Sequence, residues 1–446
     1  MPHDTTELFP GSGIWPLLSP LPQNHTDPRG LVLNRPYRLE GRKGFVVREG
    51  FVLDCIRHLG LKRMAGISQL QFISGALVTD CMRDIAGRHT FLHTRLPHVL
   101  RAAVFHLYIA QSCKLDRDSV IVGVWSELMH DMFLCCGGDS WKASKQAELF
   151  DEDIAFAAKL LRGHLLGWNS LCEKYNFHPR ETAYHVEAIV HGKGFGGAVH
   201  EVADTYSYIV GDLEAITQFV RRTGVSEFDA ILAFASSCLW NIWTCVQREG
   251  DYLVVIDQEK LGNFIKLRAL LWHGLYGSPS AKFLETFLRK VAYPYLLQVR
   301  AFRKSSLLKQ GDRWLLRLIG KKMGFKPSAF ERVDAVGSWP RMECFSSFQA
   351  AQVFEGQLAE RGFLTVLASP DDFQKVGSKL GVYMVMDDAG EVAPFDGVGH
   401  PEKVDEIKAL VASANVKNWY VYWVKSPRWS VALQTAWRLA REKWRL

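Results

Sequence analysis

The sequence predicts a mainly α-helical core followed by a smaller α+β C-terminal lobe. Three observations predict it. From about residue 44 to 330, apolar residues recur at three- and four-residue intervals, the period of one buried helical face. Beyond residue 335 the pattern changes to short β-rich runs. Between the two stands VGSWP, residues 336–340, where Gly and Pro cluster as they do at a boundary.

The elements follow in order. The first thirty residues, MPHDTTELFPGSGIWPLLSPLPQNHTDPRG, are broken by Pro and Gly and read as a loose arm. They have no basic start and no continuous apolar stretch, so no secretory signal is expected. GFVVREGFVLDCIRHLG, HVLRAAVFHLYIAQSC, EDIAFAAKLLRGHLLGW, EFDAILAFASSCLWNIWTCVQ and KFLETFLRKVAYPYLLQVRAF carry the helical period. Gly137–Gly138, GKGFGG (192–197) and GSPS (277–280) separate them. In the tail, GFLTVLAS, KLGVYMVMDD and NWYVYWVK read as strands, with DDAGE as a turn. The closing SVALQTAWRLAREKWRL reads as a basic amphipathic helix. The resulting division is an arm at 1–30, a core at 31–334 and an α+β domain at 335–446.

With 48% apolar residues over 446 positions, the chain can bury a large core. No apolar run is long enough for a membrane span, so a soluble protein is expected. Nine cysteines without a CxxC pair suit unpaired thiols in a reducing cytoplasm. The formal charge of +7 fits an anionic ligand without demanding nucleic acid, for which no recognition motif is visible. Ten Lys or Arg lie between residues 300 and 332 against two acids. They form either a solvated helical face or a surface for phosphates or a second subunit.

Chemistry enters at SELMHDMFLCCGGDSWKASK, 126–145, where His130 and Asp131 are adjacent in an apolar run. Imidazole nitrogen and carboxylate oxygen together suit Mn, Fe, Zn, Co or Mg to different degrees. Upstream, His98 stands three residues after Arg95, on one helical face. Downstream, Asp204, Tyr208 and Asp212 follow at four-residue steps and drift only about 40° per step. One helix then offers a ligand, a phenol and a second acid to one side. With fifteen histidines in the chain, a lone one carries little weight. His93, His164, His185 and His273 read as ordinary, and His200 as a helical residue that could face the same cavity.

The order H…HD…D in helices resembles the HD-domain metal phosphohydrolases. Four further segments resemble the deoxynucleoside triphosphate triphosphohydrolases among them: LKRMAGISQL (61–70), TRLPHVL (94–100), VADTYSYIVGDLE (202–214) and KLRALLWHGLYGSPSAKFLETFL (266–288). The resemblance spans about residues 44 to 330. It implies a divalent metal on His98, His130, Asp131 and Asp204. It assigns Gln69 and Leu70 to substrate binding, with Gln69 and Asp212 at the sugar 3′-hydroxyl. Tyr208 would pack where a ribose 2′-hydroxyl would sit, Arg95 would meet the α-phosphate, Arg268 the distal phosphates, and Tyr276 the base. The implied reaction yields a deoxynucleoside and tripolyphosphate. The implied assembly is a homo-oligomer with nucleotide activators or inhibitors bound between subunits. Control of nucleotide pools or antiphage defence would be the role.

The sequence departs from that family after the HD pair. Leu134 and Asp139 stand where the family has histidines, and Asp151 and Glu152 replace a histidine–glutamate pair. Three readings follow. Asp139 delivers the proton to the leaving oxygen, with Ser140 or Lys142 near the phosphates, and Arg95, Lys142 and Asp151 are the further catalytic candidates. Alternatively, the site keeps metal and nucleotide and acts as a sensor. In the third reading it serves another phosphate ester, as an HD phosphodiesterase or 5′-nucleotidase.

Overall fold

The computed structural model describes residues 37–39, 42–44, 51–67, 94–138, 141, 160–163, 165–223, 226, 228–277, 283–323, 341–373, 377–387 and 389–424. Its frame is three helices in mutual contact: α2 (Arg95–Ser112), α3 (Arg117–Met129) and α6 (Gly194–Thr223). Around them stand α1 (Phe51–Leu59), α4 (Trp168–Lys174), α5 (Pro179–Val190), α7 (Asp229–Ser237) and α8 (Gln258–Leu271). Local chemistry sets several starts. Asp116 caps α3 by accepting from the Ser119 amide at 2.9 Å, and Asp257 caps α8 from the Lys260 amide at 3.0 Å. Pro179 opens α5, where its missing N–H costs nothing.

Helix α3 is buried from Val120 to Met129 on every side. That explains VIVGVWSELM, a run without an exposed stripe. It also forces close packing. A Cβ on Gly123 would lie 1.9 Å from His106 Nε2 on α2. Gly123→Ala should therefore destabilise the fold by about 1–3 kcal/mol, since the overpacking cost exceeds the gain of about 1 kcal/mol in helix propensity. Thermal or denaturant unfolding checks this, and an unchanged midpoint would refute it.

Two large apolar cores share these helices. One joins α6 and α8 to Phe105 and Ile109 of α2, and the other packs α1, α3, α4 and α5 around Trp125 and Trp168. A third core surrounds Cys135, Cys136, Trp141 and the interrupted helical run 283–298, together with α9 (Asp312–Met323). Helix α9 buries Leu315, Leu316 and Ile319 and exposes Lys321 and Lys322 of the basic stretch.

The helical reading of 227–247 requires correction. Helix α7 ends at Ser237, Cys238 is extended, and a 3₁₀ turn at Ile242–Cys245 leads into strand β3 (Val246–Glu249). Gly250, at φ +60°, and Asp251 make a two-residue turn into β4 (Tyr252–Val255), with Glu249 paired to Tyr252. Helical periodicity hid a hairpin whose signal was Gly-Asp directly ahead of the β-rich run YLVVI.

The tail is α+β, as the composition shift predicts. Strands β5 (Arg341–Phe345) and β6 (Leu364–Ala368) flank β9 (Trp419–Val424), antiparallel on both sides, and α10 (Phe348–Glu360) packs on this sheet. The expected DDAGE turn joins β7 (Met384–Met386) to β8 (Val392–Pro394), closed by the Asp387 amide on the Glu391 carbonyl. Strand β7 runs parallel to β4, and α11 (Pro401–Ala414) packs on α8. Leu380, Tyr383, Val385, Phe395 and Ile407 thereby enter the same core as α6. The two-stranded pair β1 (Tyr37–Leu39) and β2 (Arg42–Gly44) is antiparallel. The terminal basic helix expected at 430–446 lies outside the described residues, and no described helix is long and apolar enough to cross a membrane.

Candidate metal centre

Three helices bring the site together. His98 sits in the first turn of α2, whose start is tied down by the Arg95 amide on the Ile67 carbonyl. His130 is the C-cap of α3, and Asp131 begins the turn that follows. Asp204 projects from α6. Arg63, from the 3₁₀ segment Leu61–Gly66, donates to the Met132 and Leu134 carbonyls at 2.9 and 2.8 Å and fixes that turn.

His98 Nε2, His130 Nε2 and Asp204 Oδ1 lie 3.0–3.3 Å from one another. Bonds of about 2.1 Å to one cation place neighbouring donor atoms roughly 3.0–3.4 Å apart. Asp131 Oδ2 stands 3.6 Å from His98 Nε2 and 3.4 Å from His130 Nε2. It is also held by Arg95 at 2.6 Å.

The hydrogen bonds behind the rings decide what the rings present. Ser207 uses its single hydroxyl proton on the His98 carbonyl, so at 2.9 Å it accepts from His98 Nδ1–H. His130 Nδ1 faces the Glu127 carbonyl at 2.8 Å, which can only accept. Each neutral ring therefore carries its proton on Nδ1 and turns an Nε2 lone pair toward the other and toward a carboxylate. That arrangement suits a cation; without one, burial opposes protonation of His130, but Asp131 and Asp204 outweigh it and raise the ring well above the ordinary histidine range. Burial opposes ionisation of Asp131, but Arg95 and His130 outweigh it and hold the carboxyl far below the carboxylate range. Burial likewise opposes ionisation of Asp204, and the two histidines outweigh it. Both acids are anions, and the donor set of imidazoles and carboxylates fits a divalent metal.

The predicted residues on α6 form one stripe. Tyr208 accepts from Arg268 Nε at 2.8 Å, and Tyr276 stands edge-on to Tyr208 with centroids 6.3 Å apart. Arg268 also donates to the Gly377 carbonyl at 3.0 Å. Between Arg268 and Tyr276 the helix widens into a π turn at Trp272–Tyr276, which shifts Tyr276 from its α-helical register. Asp212 is fully buried, two turns and about 12 Å along the axis from Asp204. Neither its oxygens nor the Tyr276 hydroxyl bonds to a described residue. Gln69, Leu70, Asp139, Ser140, Lys142, Asp151 and Glu152 lie outside the described residues. His185 and His273 are exposed, as ordinary histidines would be; His93 and His164 are outside the described residues.

Burial pushes Asp212 well above the carboxylate range, with Arg101 and Arg95 opposing. The folded state then holds a proton that the unfolded chain releases. Stability from this group is present below the ordinary carboxylate pKa and is lost as pH rises through the raised value. Asp212→Asn should therefore narrow the fall in thermal midpoint of metal-free protein between pH 5 and pH 8. An identical pH slope in the variant would contradict this assignment.

Sequence reasoning missed Glu127, Ser207 and Lys379, and placed His200 only as a helical residue that could face the same cavity. Glu127 is fully buried, its Oε1 2.9 Å from His106 Nδ1 and its Oε2 2.8 Å from His200 Nδ1. Its signal was a single acid in an apolar run, three residues before His130. Burial opposes ionisation, but His200 and His106 outweigh it and hold the carboxyl at about 2. His200 sits one turn before Asp204, in the same stripe, with its ring 5.2 Å from that of His130. Ser207 and Lys379 completed the set; Lys379, from the tail, pairs with Glu201 on α6. No local pattern pointed to Lys379.

No protein-family model and no curated protein matches the chain. Its fold is similar to that of a solved protein: the crystal structure of a phosphohydrolase from Bacteroides thetaiotaomicron superposes with a TM-score of 0.54 at 12% identity, covering 84% of this chain and 95% of that one.

Proposed function

We propose that this chain is a metal-dependent phosphohydrolase whose substrate is a deoxynucleoside triphosphate, cleaved to deoxynucleoside and tripolyphosphate. The observation that carries the reading is the convergence of His98, His130 and Asp204 on the helical stripe that continues through Tyr208 to Asp212. A bound divalent cation would supply Lewis-acid charge to a phosphate oxygen. The chain does the rest. Arg95 keeps Asp131 ionised and in place. Arg268 fixes the Tyr208 ring beside Asp204, and Tyr276 closes the other side of that ring. The buried Asp212 carboxyl, without a described partner, is suited to a sugar hydroxyl, since such groups in native proteins usually await a ligand or water. Nucleotide-pool control or antiphage defence, by a homo-oligomer with nucleotide regulators, is the role this reading carries.

The test is purified protein with each deoxynucleotide singly and mixed, under Mn, Mg or Co. Tripolyphosphate release that disappears in His130→Ala supports the proposal. Monophosphate release would replace it with a phosphodiesterase or nucleotidase. Tight nucleotide binding without turnover would make the protein a sensor.

A further inference from the structure

The Glu127 carboxylate has two imidazole partners with different surroundings. His106 is buried against Gly123, with no room for a ligand, and serves the packing of α2 on α3. The His200 side chain keeps 12% of its surface exposed. It lies at the head of the stripe His200–Asp204–Tyr208–Asp212, each one turn from the next. With Nδ1 held by Glu127, its Nε2 is left without a hydrogen bond to any described residue. The nearby cationic groups are engaged: Arg95 with Asp131, Arg268 with Tyr208 and Gly377, Lys379 with Glu201.

We propose that His200 is a substrate-contacting residue: paired through Nδ1–H with the Glu127 carboxylate as an imidazolium, it donates its Nε2–H to an oxygen of the phosphate seated beside His130 and Asp204. This rests on the phosphohydrolase reading of the site. Glu127, His130 and His200 could by spacing hold a second cation instead. The bonding argues otherwise. Both Glu127 oxygens already accept an imidazole N–H, His130 Nδ1 is on the Glu127 carbonyl, and His130 Nε2 belongs to the first centre. A cation there would compete with the bonds that His130 and His200 make through Nδ1, whereas an anion's oxygen at His200 Nε2 displaces none. The ligand class is a phosphate oxyanion.

The experiment titrates metal-loaded full-length protein with inorganic tripolyphosphate, comparing wild type with His200→Ala and His200→Gln. Metal content is measured in parallel, and kcat and KM with deoxynucleotides are determined for each. In His200→Ala the expected result is unchanged metal content with tripolyphosphate affinity and kcat/KM lowered roughly ten- to hundredfold, the value of one hydrogen bond to a charged group. His200→Gln, whose amide reaches the Nε2 position, should recover part of both. Unchanged affinity in metal-loaded His200→Ala overturns the proposal. So does loss of the metal, which would make His200 part of the metal centre. If wild type turns over no deoxynucleotide, the substrate reading fails separately, and the tripolyphosphate affinities still decide His200.

Discussion

Asp204→Ala will strip the divalent cation from the protein and lower tripolyphosphate release by at least about a thousandfold, with the chain still folded. The carboxylate is one of three donors within 3.3 Å of one another, and it supplies the negative charge that two converging imidazole lone pairs need. Without it, two neutral nitrogens and an Asp131 already shared with Arg95 remain, a much weaker site for a hard or borderline cation. Losing a cation that stabilises transition-state charge removes several kcal/mol, and about 4 kcal/mol is a thousandfold in rate. The fold should survive, because the Asp204 side chain is 30% exposed and alanine suits the interior of α6. Metal content and tripolyphosphate release are read on the same preparation. Full metal occupancy with activity within tenfold of wild type would remove Asp204 from the centre.

Glu127→Ala should produce the largest loss of stability, about 3–5 kcal/mol, because removing one partner of a buried charged group strands the other. Here two are stranded, since His106 on α2 and His200 on α6 both donate to the one carboxylate of α3. The pH dependence carries a sign. The folded carboxyl sits at about 2, below its ordinary value of 4.5. Its stabilisation is therefore present above the ordinary value and is lost as pH falls through about 2. Denaturant unfolding at pH 7 and pH 4 should show a large gap between wild type and variant that shrinks toward acid. A gap below about 1 kcal/mol at pH 7 would mean that water replaces the carboxylate at little cost.

What the sequence made legible follows from which signals are local. The 3.6-residue period of α2 and α6 and the composition shift near residue 335 are local, and they sufficed for the fold class. His98, His130 and Asp204 could be grouped because their order resembled a known pattern, and the stripe from Asp204 to Asp212 because a helix fixes its own spacing. The β3–β4 hairpin was lost inside an apolar run whose spacing also fitted a helix. Glu127 and His200 bond across 73 positions, and Lys379 reaches Glu201 across 178. Such partners are set by how helices cross and by how the tail returns to the core, which no window of sequence records. The π turn at Trp272–Tyr276 was illegible for a related reason, since one extra residue per turn leaves apolar spacing almost unchanged.

The parallel pairing of β4 with β7 joins Val254 to Met384, and the same returning segment brings Lys379 to α6 and the Gly377 carbonyl to Arg268. During synthesis the histidines and Asp204 leave the ribosome long before that segment exists. At typical elongation rates the interval between Val254 and Met384 is on the order of ten seconds. For that time Glu201 lacks its Lys379 partner, and Arg268 lacks one of its two acceptors, the Gly377 carbonyl. The completed protein therefore comes into being only when its last quarter docks.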